Sequence, residues 1–404
     1  LVEAPLPATI AERLHWAELV VPSPGVPERH VALVEAGVHG VPIRSEIDLA
    51  AERAPMPIVA VTGTNGKTTV TGLIAAMLHE SGVRVTAGGN IGRPLIEAVH
   101  DDVDVVVAEV SSFQLRFTTE SFRPRVAVLL NVAPDHLDWH GGFDAYVAAK
   151  ARVFANQTAD DLLVYNAGDP IARDLAATAP SRTVGYEVDV DDSVEKPWTV
   201  RGKGHNRFTD DARVAEMMRA RWRVGDLPFP TPMDRENAIA ATETVLDLGV
   251  DTDAIVRALQ DFARLPHRVE LVGKAGGVAY YDDSKATNPH ATLHGLEGFD
   301  SAVLIAGGRN KGLDLGVLRS AAPRLRAVIA IGEAAPDIQD AFAGVVSVEP
   351  ATSMRDAVRA AAARAEPGDV VLLSPACASF DWYANYAERG DDFAREVARL
   401  DEHA

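Results

Sequence analysis

The chain has a single cysteine, Cys377, in 404 residues. An internal disulfide is therefore excluded, and the count agrees with a reducing compartment such as the cytosol. No apolar run approaches the roughly 18 residues that a membrane-spanning helix needs. Positive charge is scarce: 39 Lys and Arg stand against 58 Asp and Glu, a formal net charge of −19. That balance argues against a general nucleic-acid or anionic-membrane binder, so any anionic substrate must be met by local cations. Internal repeats and low-complexity tracts are missing, as are an N-K-x-D guanine motif and a G-x-S-x-G elbow. Ser374, Ser379 and Asp381 therefore carry no hydrolase signature. What remains is a chain with 47% hydrophobic residues and a mean hydropathy of −0.01, enough for two or three globular domains with ample core.

The most informative stretch is VTGTNGKTTV, residues 61–70. A β-branched run leads into it, and an apolar stripe of Val70, Leu73, Ile74, Met77 and Leu78 follows at helical spacing. The reading is strand, glycine loop, helix. Gly63 and Gly66 let the backbone turn several N–H groups toward one point at a helix N-terminus, where an anion is favoured. Lys67 adds a mobile cation, and Thr68 adds a hydroxyl suited to Mg²⁺ on the same phosphates. The usual spacing would want a glycine where Val61 stands, so this is a shortened phosphate loop.

Strand-like and helical runs alternate through most of the chain, the pattern of doubly wound α/β domains. Strands are expected at 58–61, 83–87, 103–110, 126–131 and 162–165, and again at 278–283, 303–306, 327–331, 345–348 and 370–373. Helices are expected at 236–248 and 252–262. A polar stretch over 183–226, ending in Pro228, Pro230 and Pro232, reads as an antiparallel or loop insertion. The expected domains are 1–45, 46–264 and 265–404.

Several clusters fall at the ends of these strands. Glu109, followed by Ser111, Ser112, Phe113 and Gln114, is placed to reach a metal ion at the crevice, although a strand-end Glu can also simply face water. NVAPDHLDWH brings Asp135, His136, Asp138 and His140 to the same edge. Lys150 has donors only and cannot bind a metal as an ammonium; its bland reading is a helix lysine reaching water. In the second half, Arg268 follows a linker, and YYDDSKATNPH supplies Asp283, Lys285, Thr287 and Asn288. IAGGRNKG exposes Lys311, and Cys377 reads as a small buried thiol.

Together TGTNGKTT, EVSSFQL, GGNIG, NVAPDHLDWH, DDSKATN and SPACASFDWYANYAERGDDF resemble the Mur ligases, ATP-dependent amide-forming enzymes of peptidoglycan precursor synthesis, and within them the D-glutamate-adding branch. The resemblance runs from about Pro22 to the C-terminus, apart from 183–233. It implies an α/β fold: a phosphate-loop parallel-sheet central domain, a Rossmann-like C-terminal domain and a partial Rossmann-like N-terminal domain that is a remnant of a UDP-binding unit. The implied reaction joins D-glutamate to UDP-N-acetylmuramoyl-L-alanine through an acyl phosphate, in the cytoplasm, by a monomer. By similarity Gly63, Thr64, Asn65, Gly66, Lys67, Thr68 and Thr69 hold the ATP phosphates, with Asn237, Arg268 and Asp283 at the nucleotide. Thr68, Glu109, His136 and a carbamylated Lys150 would bind two Mg²⁺ ions. Lys67, Glu109, His136 and Lys150 are the implied catalytic set. Asn90, Ser111 and Gln114 fall to the sugar substrate. His136, Lys285, Thr287, Lys311, Ser379, Phe380 and Tyr386 fall around D-glutamate and the acyl phosphate. The family's G-x-H-N element ahead of Asn237 is replaced here by Thr231, Pro232, Met233 and Asp234. The first strands and the UDP loop of the N-terminal domain are missing, so a longer native chain is expected. The alternatives are another amino acid ligase of the superfamily, such as a folylpolyglutamate synthase, or a non-catalytic nucleotide-binding protein.

Overall fold

The computed structural model describes residues 7–187, 232–262 and 265–401. They form two compact units. The first holds the described residues up to 187 together with 234–262, and the second holds 232–233 and 265–401.

The first unit is built on a six-stranded parallel sheet: β1 (Ile58–Thr62), β2 (Val85–Gly89), β3 (Val105–Glu109), β4 (Val126–Leu129), β5 (Leu162–Asn166) and β6 (Arg182–Tyr186), in the order β2-β3-β1-β4-β5-β6. Every residue of β1, β3 and β4 is buried, which is why these strands read as continuous apolar runs with no alternation. The chain leaves β1 for one edge and returns across it to β4, so β1 is the switch point where such sheets bind ligands. The helix Lys67–Glu80 packs its Val70, Leu73, Ile74, Met77 and Leu78 stripe inward and ends at Gly82, whose φ of +84° suits the left-handed turn after a helix. Before β1, the helices Pro7–Leu14 and Val31–Val38 share a small core of Ile10, Leu14 and Ala36.

The second unit has β7 (Glu270–Ala275), β8 (Val278–Asp282), β9 (Ala302–Gly307), β10 (Leu325–Ile331), β11 (Val348–Pro350) and β12 (Val370–Ala376), in the order β11-β10-β9-β12-β8-β7. Only β7 runs antiparallel, against β8. Leu304, Val328 and Leu372 lie in one apolar cluster and Val303, Ile329 and Val371 in the other, so alternate residues fill the two faces.

The structure corrects the sequence reading in four places. Residues 182–186, assigned in part to the insertion, form the parallel edge strand β6, because Arg182 and Thr183 look polar only on an edge that is half exposed. Residues 270–275, given no element in the sequence reading, form β7, an edge strand whose mixed burial hid it. The strand expected at 345–348 lies at Val348–Pro350, and the helix expected at 236 begins at Pro232. The segment 19–21 makes only a single bridge, Val20 to Ile43. The rest of the insertion, 188–231, lies outside the described residues.

Candidate active site

The loop after β1 is held from beneath by the end of β4. Thr64 N–H donates to the Asn131 carbonyl (2.9 Å), and Asn65 N–H donates to Asn131 Oδ1 (2.8 Å). Thr64 Oγ1 bonds the Ala133 carbonyl (3.1 Å), accepts from Ala133 N–H (2.9 Å) and meets the Tyr146 hydroxyl (2.9 Å). Gly66 sits at φ +86°, where a side chain would be strained, and a Cβ there would lie 2.3 Å from Asn237 Oδ1. Asn237, buried at 3% exposure, thus closes against the loop. Lys67 folds back, its Nζ donating to the carbonyls of Gly63 and Thr64 at 3.0 Å each. Thr68 is half-buried and Thr69 buried in the first turn of the helix.

Glu109 ends β3 in register with Val61 of β1, and it is 2% exposed, so the water-facing reading fails. Its Oε1 accepts from Asn90 Nδ2 (2.8 Å), while Oε2 is buried with no hydrogen-bond partner. A buried carboxylate oxygen without a donor is an expensive arrangement, and a cation resolves it. Lys150 is 1% exposed, so the snorkelling reading fails too. Its Nζ donates to the Gly63 carbonyl at 2.7 Å and lies 4.7 Å from the centre of the Tyr146 ring. Burial, and then the neighbouring Lys67 charge, push its pKa well below the usual lysine value, against the pull of Asp135 and Glu109.

His136 takes a left-handed backbone (φ 51°), its ring beside Phe113 at 4.8 Å and its Nε2 3.6 Å from Asp135 Oδ2. His140, in contrast, is a buried structural histidine: Nε2 meets Ser112 Oγ at 2.9 Å, and burial lowers its pKa to about 4. Asp138 is exposed. Ser111 and Gln114 are buried and form a capping box on the helix Ser112–Arg116: Gln114 Oε1 accepts from Ser111 N–H (3.0 Å), and Gln114 N–H donates to Ser111 Oγ (3.3 Å). Their observed partners are each other.

In the second unit, Asp283 is buried, accepts from the Ser374 hydroxyl (2.7 Å) and has its pKa raised to about 7 by burial. Ser374 is thereby tied to a carboxylate, as its lack of a nucleophile elbow implies. Lys285 Nζ lies 4.9 Å from the centre of the Tyr386 ring. Thr287 is half-buried. Lys311 follows Gly307 and Gly308, both of positive φ, and lies in a turn closed by Leu313 N–H donating to Asn310 Oδ1 (2.9 Å). Ser379 is 2% exposed with its Oγ lacking a hydrogen-bond partner, beside Phe380, which is 62% exposed. Cys377 is buried, its thiol pushed up to about 12.

Sequence reasoning missed two anchors. Asn131 supports the loop through its side chain, and nothing at the end of an apolar strand announces that. Arg389 is 1% exposed: Nε donates to Ser284 Oγ (2.9 Å), Nη2 to Ser284 O (2.8 Å) and Nη1 to Cys377 O (3.1 Å). It joins the Asp283 and Cys377 loops, though a helix arginine close to Asp391 and Asp392 reads as a solvated residue.

A phosphate loop at the switch point of one sheet, with a buried acid and a buried lysine beside it, defines a phosphate-loop nucleotide enzyme. Residues 61–244 match the Mur ligase middle domain, and 267–377 match the Mur ligase glutamate ligase domain. The chain is 44% identical over 400 residues to the UDP-N-acetylmuramoylalanine--D-glutamate ligase of Desulfosudis oleivorans, covering 96% of this chain and 83% of that protein. It is 42% identical over 382 residues to the enzyme of the same name from Acidobacterium capsulatum, covering 93% and 81%. Among solved structures, MurF ligase from Thermotoga maritima in complex with ADP superposes with a TM-score of 0.65 at 18% identity, covering 96% of each chain. MurC from Thermotoga maritima gives 0.60 at 21% identity, covering 96% and 85%. The chain belongs to the Mur ligase family.

Proposed function

We propose that this protein joins D-glutamate to UDP-N-acetylmuramoyl-L-alanine, with conversion of ATP to ADP and phosphate. The observation that carries the substrate choice is the 44% identity, over nearly the whole chain, to a ligase whose name states both substrates. In the first half-reaction a carboxylate oxygen of the alanyl group attacks the γ-phosphorus, the P–O bond to ADP breaks, and an acyl phosphate forms. In the second, the D-glutamate amine adds to the acyl carbon and loses a proton. The tetrahedral adduct then expels phosphate and leaves the amide. The protein's part in such a reaction is positioning and charge neutralisation.

With the Thr64 and Asn65 N–H groups held by Asn131, the N–H groups from Gly66 to Thr69 at the helix N-terminus are assigned to the phosphates, and Lys67 exchanges the carbonyls of Gly63 and Thr64 for the transferring phosphoryl oxygens. Asn237 limits the loop's position from outside, and Arg268 and Asp283 are assigned to the nucleotide. Magnesium fits the donor set of Thr68, Glu109 and His136, because Glu109 Oε2 is buried without a partner. When bound it would offset phosphate charge. Lys150 fits only in another form: burial disfavours its ammonium, and the amine can add to carbon dioxide, with an N–C bond formed and a proton released, to give a carbamate anion. Asn90, Ser111 and Gln114 are assigned to the sugar substrate. Lys285, Thr287, Lys311, Ser379, Phe380 and Tyr386 are assigned to D-glutamate and the acyl phosphate, where cations and hydroxyls offset two carboxylates in an acidic protein. ATP and a UDP sugar are intracellular reagents, so the proposed location is the cytoplasm. No described helix is long and apolar enough to cross a membrane. The test is phosphate release that requires both UDP-N-acetylmuramoyl-L-alanine and D-glutamate; release indifferent to D-glutamate overturns the assignment.

A further inference from the structure

We propose that the cleft at the foot of the first unit's sheet, beside Arg123 and Arg125, binds a small organic anion: a phosphate ester or carboxylate with a short apolar body. The cleft holds about 250 Å³, just below the roughly 300 Å³ at which small-molecule pockets begin. Met56 and Ile58, at the start of β1, and Ala54, at the end of the helix Glu46–Arg53, supply its apolar wall. Arg123, Arg125 and Asp161 supply the polar one.

The sequence FRPRV, residues 122–126, places both cations on one side. The chain enters β4 extended, so residues at i and i+2 share a face. Phe122 and Pro124 are accordingly buried, while Arg123 is exposed and Arg125 half-buried. The Arg125 backbone is fixed from both neighbouring strands: its N–H donates to the Ile58 carbonyl (2.9 Å), and its carbonyl accepts from Leu162 N–H (3.1 Å).

One carboxylate aligns the two guanidinium groups. Asp161, at 4% exposure, accepts from Arg123 Nε (2.8 Å) and lies 3.8 Å from Arg125 Nη1. Arg123 Nη2 donates to Thr158 Oγ1 (2.7 Å), and Arg125 Nη1 donates to the Asp160 carbonyl. Each guanidinium is therefore held along one edge, while Arg123 Nη1 and Arg125 Nε and Nη2 make no hydrogen bond among the described residues. Two cations face one buried carboxylate, so the cleft carries net positive charge in a chain of formal charge −19. The Asp160 side chain is exposed, where water screens it. Planar guanidinium forks match the oxygens of a carboxylate or phosphate, and fixing them beforehand lowers the cost of binding.

The cleft is separate from the phosphate loop. β1 and β4 begin beside it and end at Gly63 and Asn131, and the four steps from Ile58 to Thr62 put about 13 Å between the two ends of β1.

The test titrates phenyl phosphate and benzoate by calorimetry into the full chain, with the phosphate loop saturated by a non-hydrolysable ATP analogue and Mg²⁺. Binding at this cleft is expected, and the tighter of the two identifies the preferred oxyanion. Inorganic phosphate should bind on the order of tenfold more weakly than phenyl phosphate, because it leaves the Met56 and Ile58 wall in water. Arg125→Gln, which keeps the Arg123–Asp161 pair, should weaken binding on the order of tenfold. Arg123→Gln/Arg125→Gln should abolish it, with urea unfolding of each variant as the check on folding. An affinity unchanged in folded Arg125→Gln overturns the proposal, and so does the absence of binding of either anion to the wild type at millimolar concentration.

Discussion

Replacing Gly66 by alanine should separate backbone strain from loop function, because Gly82 offers the matching control. Both glycines have left-handed φ, +86° and +84°, and an L-residue there costs roughly 1–2 kcal/mol. At Gly82 a Cβ meets nothing within 4 Å, so Gly82→Ala should lose about that much stability and keep full ligase activity. At Gly66 the Cβ falls 2.3 Å from Asn237 Oδ1 and 3.1 Å from Leu130 Cδ1. Ordinary contact then requires Asn237 or the loop to move by about 1 Å, with a further overpacking cost of about 1–3 kcal/mol. The expected total is about 2–5 kcal/mol, a large share of a typical domain's stability. A displacement of that size at a reacting phosphate costs on the order of 100-fold in kcat/KM. Urea unfolding gives the first quantity, and steady-state phosphate release at varied ATP gives the second. Equal losses of stability in the two variants, or a Gly66→Ala enzyme with unaltered kcat/KM for ATP, would refute the reasoning.

Lys150→Ala should abolish turnover and recover part of it with formate or acetate, which can occupy the carbamate's place; no recovery at any acid concentration removes Lys150 from the metal-binding set. Glu243 is buried with Oε1 lacking a hydrogen-bond partner, and burial raises its pKa from 4.5 to about 7. Its folded form therefore binds the proton more tightly, so its contribution is fully present below pH ~4.5 and is lost as pH rises through ~7. Glu243→Gln should lack this loss and gain about 3 kcal/mol on the wild type between pH 4.5 and 8, read as the difference of two urea-derived stability profiles. Arg389→Ala removes the three donors that hold Ser284 and Cys377, and should destabilise the second unit by about 3–5 kcal/mol. A loss below about 1 kcal/mol in calorimetry would mean that water replaces the guanidinium without penalty.

The doubly wound fold was legible because its central strands are buried on both faces and flanked by glycine turns. Edge strands β6 and β7 were not, since half-exposed edges carry mixed residues such as Arg182, Thr183 and Lys274. The strand, glycine loop and helix around residues 58–80 were legible, because the left-handed backbone at position 66 favours glycine and the apolar stripe that follows has helical spacing; the roles of Lys67 and Thr68 belong to the proposal. Glu109 was legible as a candidate by its strand-end position, but only the structure gave its burial and the unpaired Oε2. Lys150 was ambiguous for a physical reason: helical spacing does not say whether a lysine reaches water or a cavity. Arg389 and Asn131 act through main-chain carbonyls and N–H groups that are distant in sequence, and no local pattern marks such contacts.

The most direct measurement follows an oxygen atom. With ¹⁸O in the alanyl carboxylate of UDP-N-acetylmuramoyl-L-alanine, attack on ATP and departure of phosphate must carry one carboxylate oxygen into each phosphate released. One ¹⁸O per phosphate in the presence of D-glutamate is the predicted result. Phosphate free of label, formed together with the amide product, would contradict an acyl-phosphate route in this protein.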